Sequence, residues 1–260
     1  MTLEAPIDDV LADDHLLAAW LAEAAGARLL AVREEGLEGK ELKDAGDRAA
    51  HELLMELIAQ YRPNDIVLSE EGKDDKRRLT ADRVWIVDPL DGTREFSEPP
   101  RDDWAVHVAL WTKDADALVA GAVAQPALGE TFSTARPPVV APRTTERLRI
   151  AVSRTRPPAF VAALATELDA ELVPMGSAGV KMMSVVRDVT DAYVHAGGQY
   201  EWDSAAPVAV AQAAGLFTSR IDGSSLRYNQ DDVYLPDLIV CRPEIADRVL
   251  RFIETHGVDG

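Results

Sequence analysis

The chain is poor in cysteine, in aromatic residues and in positive charge. Cys241 is its only cysteine, so an internal disulfide and a disulfide-stapled secreted fold are excluded. The apolar run Leu238-Ile239-Val240 before it suits a buried strand end better than a nucleophile. Lysine and arginine number 27 against 45 aspartates and glutamates, a formal charge of -18. That balance argues against nucleic acid or an anionic membrane as a partner, because both require a basic patch. No apolar run approaches membrane-spanning length, and Glu4, Asp8 and Asp9 stand where a signal peptide carries Lys or Arg. The expected compartment is therefore the cytoplasm. Internal repeats and low-complexity tracts are also missing.

What is present is a sizeable apolar fraction, 47% of 260 residues, at the upper edge of what one core supports. Two closely packed halves are expected, residues 1–147 and 148–260, meeting in the segment 135–147, where Pro137, Pro138 and Pro142 lie among charges. In the first half, spacings of three and four predict a long helix over 8–33 and a second over 47–60, with a polar loop between them. Strands are expected at Ile66–Leu68, Val84–Val87, Trp104–Trp111 and Leu118–Val123. In the second half strands at 148–152, 172–174, 192–194 and 238–241 alternate with helices at 158–168, 181–189, 204–214 and 243–254. Such alternation predicts a layered α/β half.

The chemistry concentrates where the strand Val84-Trp85-Ile86-Val87 runs into Asp88-Pro89-Leu90-Asp91-Gly92-Thr93. Pro89 stiffens this exit and Gly92 permits a tight turn. The turn can aim two carboxylates and the Leu90 carbonyl at one point, as a hard divalent cation requires. If a helix begins near Thr93, the N–H groups of Gly92 and Thr93 can hold a phosphate oxygen there too. Asp-Gly is also an ordinary turn dipeptide, and an isolated acid is commonly a solvated group or a helix cap. Three further acidic elements accompany this one: Glu70-Glu71-Gly72 after Ile66-Val67-Leu68-Ser69, Trp202-Asp203-Ser204-Ala205-Ala206 before a small-residue helix, and Asp47 after Asp44-Ala45-Gly46.

In this order the elements resemble those of the inositol monophosphatase superfamily of Mg²⁺-dependent, Li⁺-sensitive phosphatases, over most of the chain from Lys40 to Gly215. The resemblance implies an α+β or α/β fold with helices and two packed sheets layered αβαβα. It implies that Glu70, Asp88 and the Leu90 carbonyl bind one Mg²⁺, and that Asp88, Asp91 and Asp203 bind a second. A third, weaker ion near Glu70 is usual in the family. Two such metals clamp the attacking and leaving oxygens of a phosphoryl displacement and acidify the attacking water. Thr93, hydrogen-bonded to Asp47, would orient that water, with Glu70 the third catalytic residue and no covalent intermediate. The sequence departs from the family at Asp44, where a hydroxyl is usual, and the shortened segment 39–43 leaves Lys40 and Lys43 as alternative counterparts of a mobile-loop lysine.

Substrate choice is read from Asp91-Gly92-Thr93-Arg94-Glu95-Phe96. Its Arg-Glu-Phe ending is similar to the CysQ-type branch, the 3′(2′),5′-bisphosphate nucleotidases that remove the 3′-phosphate of adenosine 3′,5′-bisphosphate (PAP) in sulfur assimilation. Gly176, Ser177 and Lys181 resemble a substrate loop with a cation suited to a second phosphate. With Asp91, Gly92, Thr93, Arg94 and Asp203 they form the expected substrate-binding set. Arg94 has an alternative as a surface ion pair, and Lys181 as a lysine extended from a helix start. Gapless counting from Trp202-Asp203 puts Ala196 where inositol enzymes carry an acid, while Gln199, Tyr200 and Glu201 offer hydrogen bonds and a stacking face for a base. His107 and His195 read as structural. The expected function is hydrolysis of PAP to AMP and phosphate. Inositol 1-phosphate and fructose 1,6-bisphosphate are alternative substrates, and a non-catalytic metal- or nucleotide-binding protein is the alternative class. Trp104, Trp111 or the Trp20 helix could form a homodimer interface.

Overall fold

A computed structural model describes residues 5–143, 146–155 and 157–258. Glu4, and Thr144 and Thr145 of the proline-rich segment, lie outside the described residues. The helix expected over 8–33 is two, α1 (Asp8–Ala12) and α2 (Asp14–Arg33). The break falls at Asp13, which is extended and whose carboxylate accepts the His15 and Leu16 N–H groups, capping α2. The next helix, α3 (Gly39–Tyr61), begins at Gly39 rather than Asp47. Lys40, Lys43 and Asp44 therefore lie on a helix, and Lys40 Nζ pairs with Asp44 Oδ2 at 2.5 Å on its exposed side. Before Gly46 only Leu42 is buried, so these turns leave little apolar periodicity to read.

The first sheet contains β1 (Ile66–Ser69), β2 (Arg83–Asp91), β3 (Ala105–Thr112), β4 (Ala117–Gln125) and β5 (Glu130–Ser133), in that order. Its β1 and β2 are parallel and its other pairs antiparallel. A single-turn helix, α4 (Thr93–Phe96), follows β2. The second half runs β6 (Leu148–Ser153), α5 (Ala159–Leu168), β7 (Ala170–Met175), α6 (Ala178–Val186), β8 (Ala192–Tyr200), α7 (Glu201–Ala213), β9 (Phe217–Ser219), β10 (Tyr234–Cys241) and α8 (Pro243–His256). Its sheet has the order β7-β6-β8-β10-β9. The edge strands β5 and β9 are short and escape the expected pattern.

Alternating strand residues divide the interior into three cores. On one face of the first sheet Trp85, Val87, Val108 and Leu110 pack with Leu17, Leu21, Leu54 and Ile58 of α2 and α3. On the other, Val84, Ile86 and Ala109 meet Met182 and Val185 of α6, Val208 and Val210 of α7, and Leu238 and Val240 of the second sheet. The outer face of that sheet, with Ile150, Val194, Ile239 and Cys241, is covered by Val161 and Leu164 of α5 and Val249 and Phe252 of α8. Each such aliphatic or phenyl side chain contributes roughly 1.5–3 kcal/mol through burial. The layers run αβαβα, as the resemblance implies. By length and composition alone α2 could cross a membrane, but half of its apolar window is buried inside this fold.

Burial pushes the Cys241 thiol up to about 12, the state of an inert core cysteine. Trp104 and Trp111 are buried in the cores flanking the first sheet and offer no interface, which corrects that expectation. Trp20 is partly exposed and meets Tyr61 edge-on.

Candidate active site

Asp88 and Asp91 are an odd number of residues apart, so a regular strand would point them to opposite faces. The structure prevents this. Asp88 is paired with His107 and Asp91 with Ala105, an extra residue on β2 that forms a β-bulge. Pro89, which has no N–H to donate to the ladder, sits within it. Asp88 continues the face of Val84 and Ile86, and Asp91 joins Ala105 on that same face. Both carboxylates consequently enter the layer between the sheets, where α7 packs on β2 and β3.

Asp203 enters from the first turn of α7, where its Oδ2 accepts the Tyr200 N–H at 2.6 Å. One oxygen from each of Asp88, Asp91 and Asp203 lies within 4.8 Å of the other two. Glu70 follows β1, tied beside β2 by its N–H donating to the Val87 carbonyl at 3.3 Å. Its carboxyl lies against that of Asp88. Burial, with Asp203, Asp91 and Glu71 nearby, lifts Glu70 to about 7. Burial and then Glu70 raise Asp88 well above the carboxylate range. Burial and then Asp91 raise Asp203 to about 6. An all-oxygen donor set whose members cannot all ionise together fits a hard divalent cation. The cluster is compatible with a metal site.

Asp91 differs from these acids. Its Oδ2 accepts the Ser177 hydroxyl at 2.5 Å and the Gly179 N–H at 2.6 Å, its Oδ1 accepts the Ala178 N–H at 3.1 Å, and His107 Nε2 is 3.2 Å away. Burial alone would raise its pKa, but His107, Ser177 and Gly179 together overcome that and hold it at about 2. The other nitrogen of His107, Nδ1, donates to the Trp202 carbonyl at 3.2 Å. His107 therefore links the acids of the two halves, a role that sequence reasoning missed. Its signal was a lone polar residue on an otherwise apolar strand face.

Thr93 opens α4. Its hydroxyl lies 3.3 Å from Asp47 Oδ1 and 3.2 Å from the Leu90 carbonyl, both acceptors. Burial, followed by Glu71, lifts Asp47 to about 6. Gly46 makes this approach feasible: a Cβ there would come within 2.6 Å of Phe96 Cε1 and 3.0 Å of Leu90 Cδ2. Gly92 has φ +88°, and a Cβ on it would also crowd Ser177 Cβ at 3.2 Å. Among the described residues no side-chain hydrogen bond caps α4.

The expected substrate residues are placed unequally. Ser177, in a left-handed conformation at φ 29°, gives its hydroxyl to Asp91 and accepts the Val180 N–H at 3.0 Å. Lys181 is buried, and its Nζ donates to the Gly176 and Ser177 carbonyls at 2.7 Å each, bracing the loop from beneath. Arg94 is exposed and pairs with Glu98 at 3.2 Å. Gln199 donates to the Tyr193 hydroxyl at 3.1 Å, and Glu201 accepts the Asn229 and Gln230 N–H groups at 2.7 Å each, so both serve the fold. Tyr200 is exposed and stacks on Trp202 at 4.9 Å. His195 donates to the Gly198 carbonyl at 3.1 Å. Asp103, also missed, accepts the Gly176 N–H at 2.6 Å and so anchors the same loop.

Five alternating layers around a buried carboxylate cluster define a metal-dependent class of layered α+β proteins. The sequence matches the Inositol monophosphatase family over residues 14–256, and the chain belongs to that family. It is 52% identical over 237 residues to the 3'-phosphoadenosine 5'-phosphate phosphatase of Mycobacterium bovis (strain ATCC BAA-935 / AF2122/97), covering 87% of this chain and 88% of that protein. It is 31% identical over 204 residues to the 3'(2'),5'-bisphosphate nucleotidase CysQ of Escherichia coli (strain K12), covering 74% and 81%. The crystal structure of CysQ from Bacteroides thetaiotaomicron, a bacterial member of the inositol monophosphatase family, matches with a TM-score of 0.73 at 28% identity, covering 87% of this chain and 96% of that one.

Proposed function

We propose that this chain is a cytoplasmic, Mg²⁺-dependent and Li⁺-sensitive phosphomonoesterase that hydrolyses PAP to AMP and phosphate. The observation that carries the reading is the acid cluster of Asp88, Asp91 and Asp203 beside the hydroxyl of Thr93. The mycobacterial relative, named for this substrate and 52% identical, supports the choice of ester. Residues 1–147 and 148–260 act as two halves, each contributing acids, and the chain functions alone or as a homodimer.

Glu70, Asp88 and the Leu90 carbonyl would hold one ion, Asp88, Asp91 and Asp203 a second, and the Glu70 side a weaker third. Magnesium there supplies positive charge against the phosphoryl oxygens and makes water a better nucleophile at neutral pH. The protein's own part is positioning and proton transfer. Thr93 orients the attacking water through its hydroxyl, and Asp47, lifted to about 6, accepts the proton. The N–H groups at the start of α4 face a phosphate oxygen, and the 176–179 loop holds Asp91 in register with the ester. The P–O bond to the 3′ oxygen breaks as the water oxygen bonds to phosphorus, and the 3′ oxygen takes a proton from solvent to become the hydroxyl of AMP.

Comparing kcat/KM for PAP, inositol 1-phosphate and fructose 1,6-bisphosphate with Mg²⁺ tests the proposal. PAP is expected to be the best of the three. A clear preference for inositol 1-phosphate would overturn the substrate, and nucleotide binding without phosphate release would overturn the catalysis.

A further inference from the structure

A cavity of about 450 Å³ opens beside Ser177, whose hydroxyl binds Asp91. Three cations line it, Arg94, Arg154 and Lys181, against one acid, Glu95. In a chain of formal charge -18, a wall with net positive charge adjoining the acid cluster is a local reversal of sign. Such a reversal concentrates anions in one place.

The three cations are not equally available. Lys181 already serves two carbonyls of the loop. Arg154, in the segment after β6, donates Nε to Glu95 Oε1 at 2.7 Å and Nη2 to Glu98 Oε2 at 2.8 Å. Its Nη1 has no protein partner among the described residues. Arg94 bonds Glu98 through Nε alone, at 3.2 Å, so both of its Nη groups are open among the described residues. The two glutamates thus hold a pair of guanidinium groups, one from each half of the chain, with free N–H edges at the same cavity. Glu95 is itself buried, so Arg154 is held against a fixed carboxylate.

We infer that Arg94 and Arg154 together bind the second phosphate of a bisphosphate substrate, the one that is not hydrolysed, and so set the preference for bisphosphates over monophosphate esters. The inference rests on the reading of the protein as a PAP phosphatase. Planar guanidinium forks match phosphate oxygens in geometry as well as charge, which a single ammonium does not. Lys181 acts beneath them as a positioning residue, fixing the carbonyls of the loop rather than touching the phosphate.

The test measures kcat/KM for PAP and for adenosine 3′-phosphate in the wild type, Arg94→Gln, Arg154→Gln and Arg154→Lys. The ratio of the two values is expected to fall about ten-fold or more in each Gln variant, and by less in Arg154→Lys. Calorimetric binding of AMP, which keeps only the second phosphate, compared with adenosine supplies a readout independent of turnover. The AMP-to-adenosine affinity ratio is expected to fall by a similar factor. Equal losses on both substrates in Arg94→Gln, or a wild type that binds AMP no better than adenosine, would overturn the inference. Arg94 is exposed, so its variant decides the question even if Arg154→Gln fails to fold. A wild type that prefers inositol 1-phosphate would remove the functional reading and this subsite with it. A wild type that prefers PAP, with variants that keep its ratio, would remove the subsite alone.

Discussion

Asp88 and Asp91 leave one strand within a single turn and end in opposite surroundings. Asp91 is enclosed by donors, a serine hydroxyl and two backbone N–H groups, with the His107 ring 3.2 Å away. Asp88 accepts the Leu90 N–H at 3.0 Å and faces Glu70 and Asp203. One side of the site is solvated by the protein's own dipoles. The other gathers carboxyl groups whose pKa values burial and mutual repulsion raise. On the proposed reading, the first side fixes geometry while the second supplies affinity for magnesium.

Substitution can break this comparison. Asp88→Asn and Asp91→Asn are each expected to lower PAP turnover on the order of a thousand-fold, measured as kcat at saturating Mg²⁺. Their effects on folding should differ in sign. In EDTA, Asp91→Asn should lose about 1.5–3 kcal/mol in denaturant unfolding, because charge-assisted hydrogen bonds are lost. Asp88→Asn should gain stability, because a repelling charge is removed. Equal signs would show that the two surroundings are not distinct in effect.

A smaller effect is expected at Thr93. Thr93→Val should reduce kcat about a hundred-fold with little change in KM, and Thr93→Ser should recover most of it. Failure of serine to rescue would assign Thr93 to packing instead of water orientation.

The smallest effect is a dependence of stability on pH. Glu70 rises from 4.5 to about 7 in the fold, and Asp203 and Asp47 from 3.8 to about 6. Groups raised in this way bind more protons when folded, so stability falls as pH increases through that window. Without metal, Tm should therefore decrease from pH 4.5 towards 7. Magnesium should raise Tm more at pH 8 than at pH 5, since protons compete for the same oxygens. Scanning calorimetry with EDTA and with Mg²⁺ measures both, and a metal increment independent of pH would contradict the shared site.

The strand and turn from Val84 to Thr93 were legible because local rules decide them: an apolar run, a proline and an Asp-Gly pair. The alternation of strand and helix likewise foretold the layered second half. The start of α3 was hidden, since Gly39 to Asp44 carry charge where a helix normally shows an apolar stripe. The lysines sought there as loop residues lie on that helix, with Lys40 paired to Asp44. His107 and Arg154 were hidden for another reason. Each acts across a tertiary contact, on Asp91 and on Glu95 respectively, and no spacing along the chain encodes such a meeting. Lys181 was noticed as a cation, but its burial over the Tyr193 ring, at 5.4 Å, and its two carbonyl partners are products of the fold.

The bulge in β2 carries a last consequence. A strand is read in twos, and one surplus residue shifts the phase of everything after it. If the ladder ran regularly through these same residues, Asp91 would fall one step out of phase and its carboxylate would swing towards the apolar layer under α2 and α3. What must be preserved in this turn is therefore the bulge that offsets the odd spacing of the two acids, more than the identity of Leu90. Replacement there is tolerable, while straightening the strand without shortening it would give a more regular β-sheet that can no longer assemble the site.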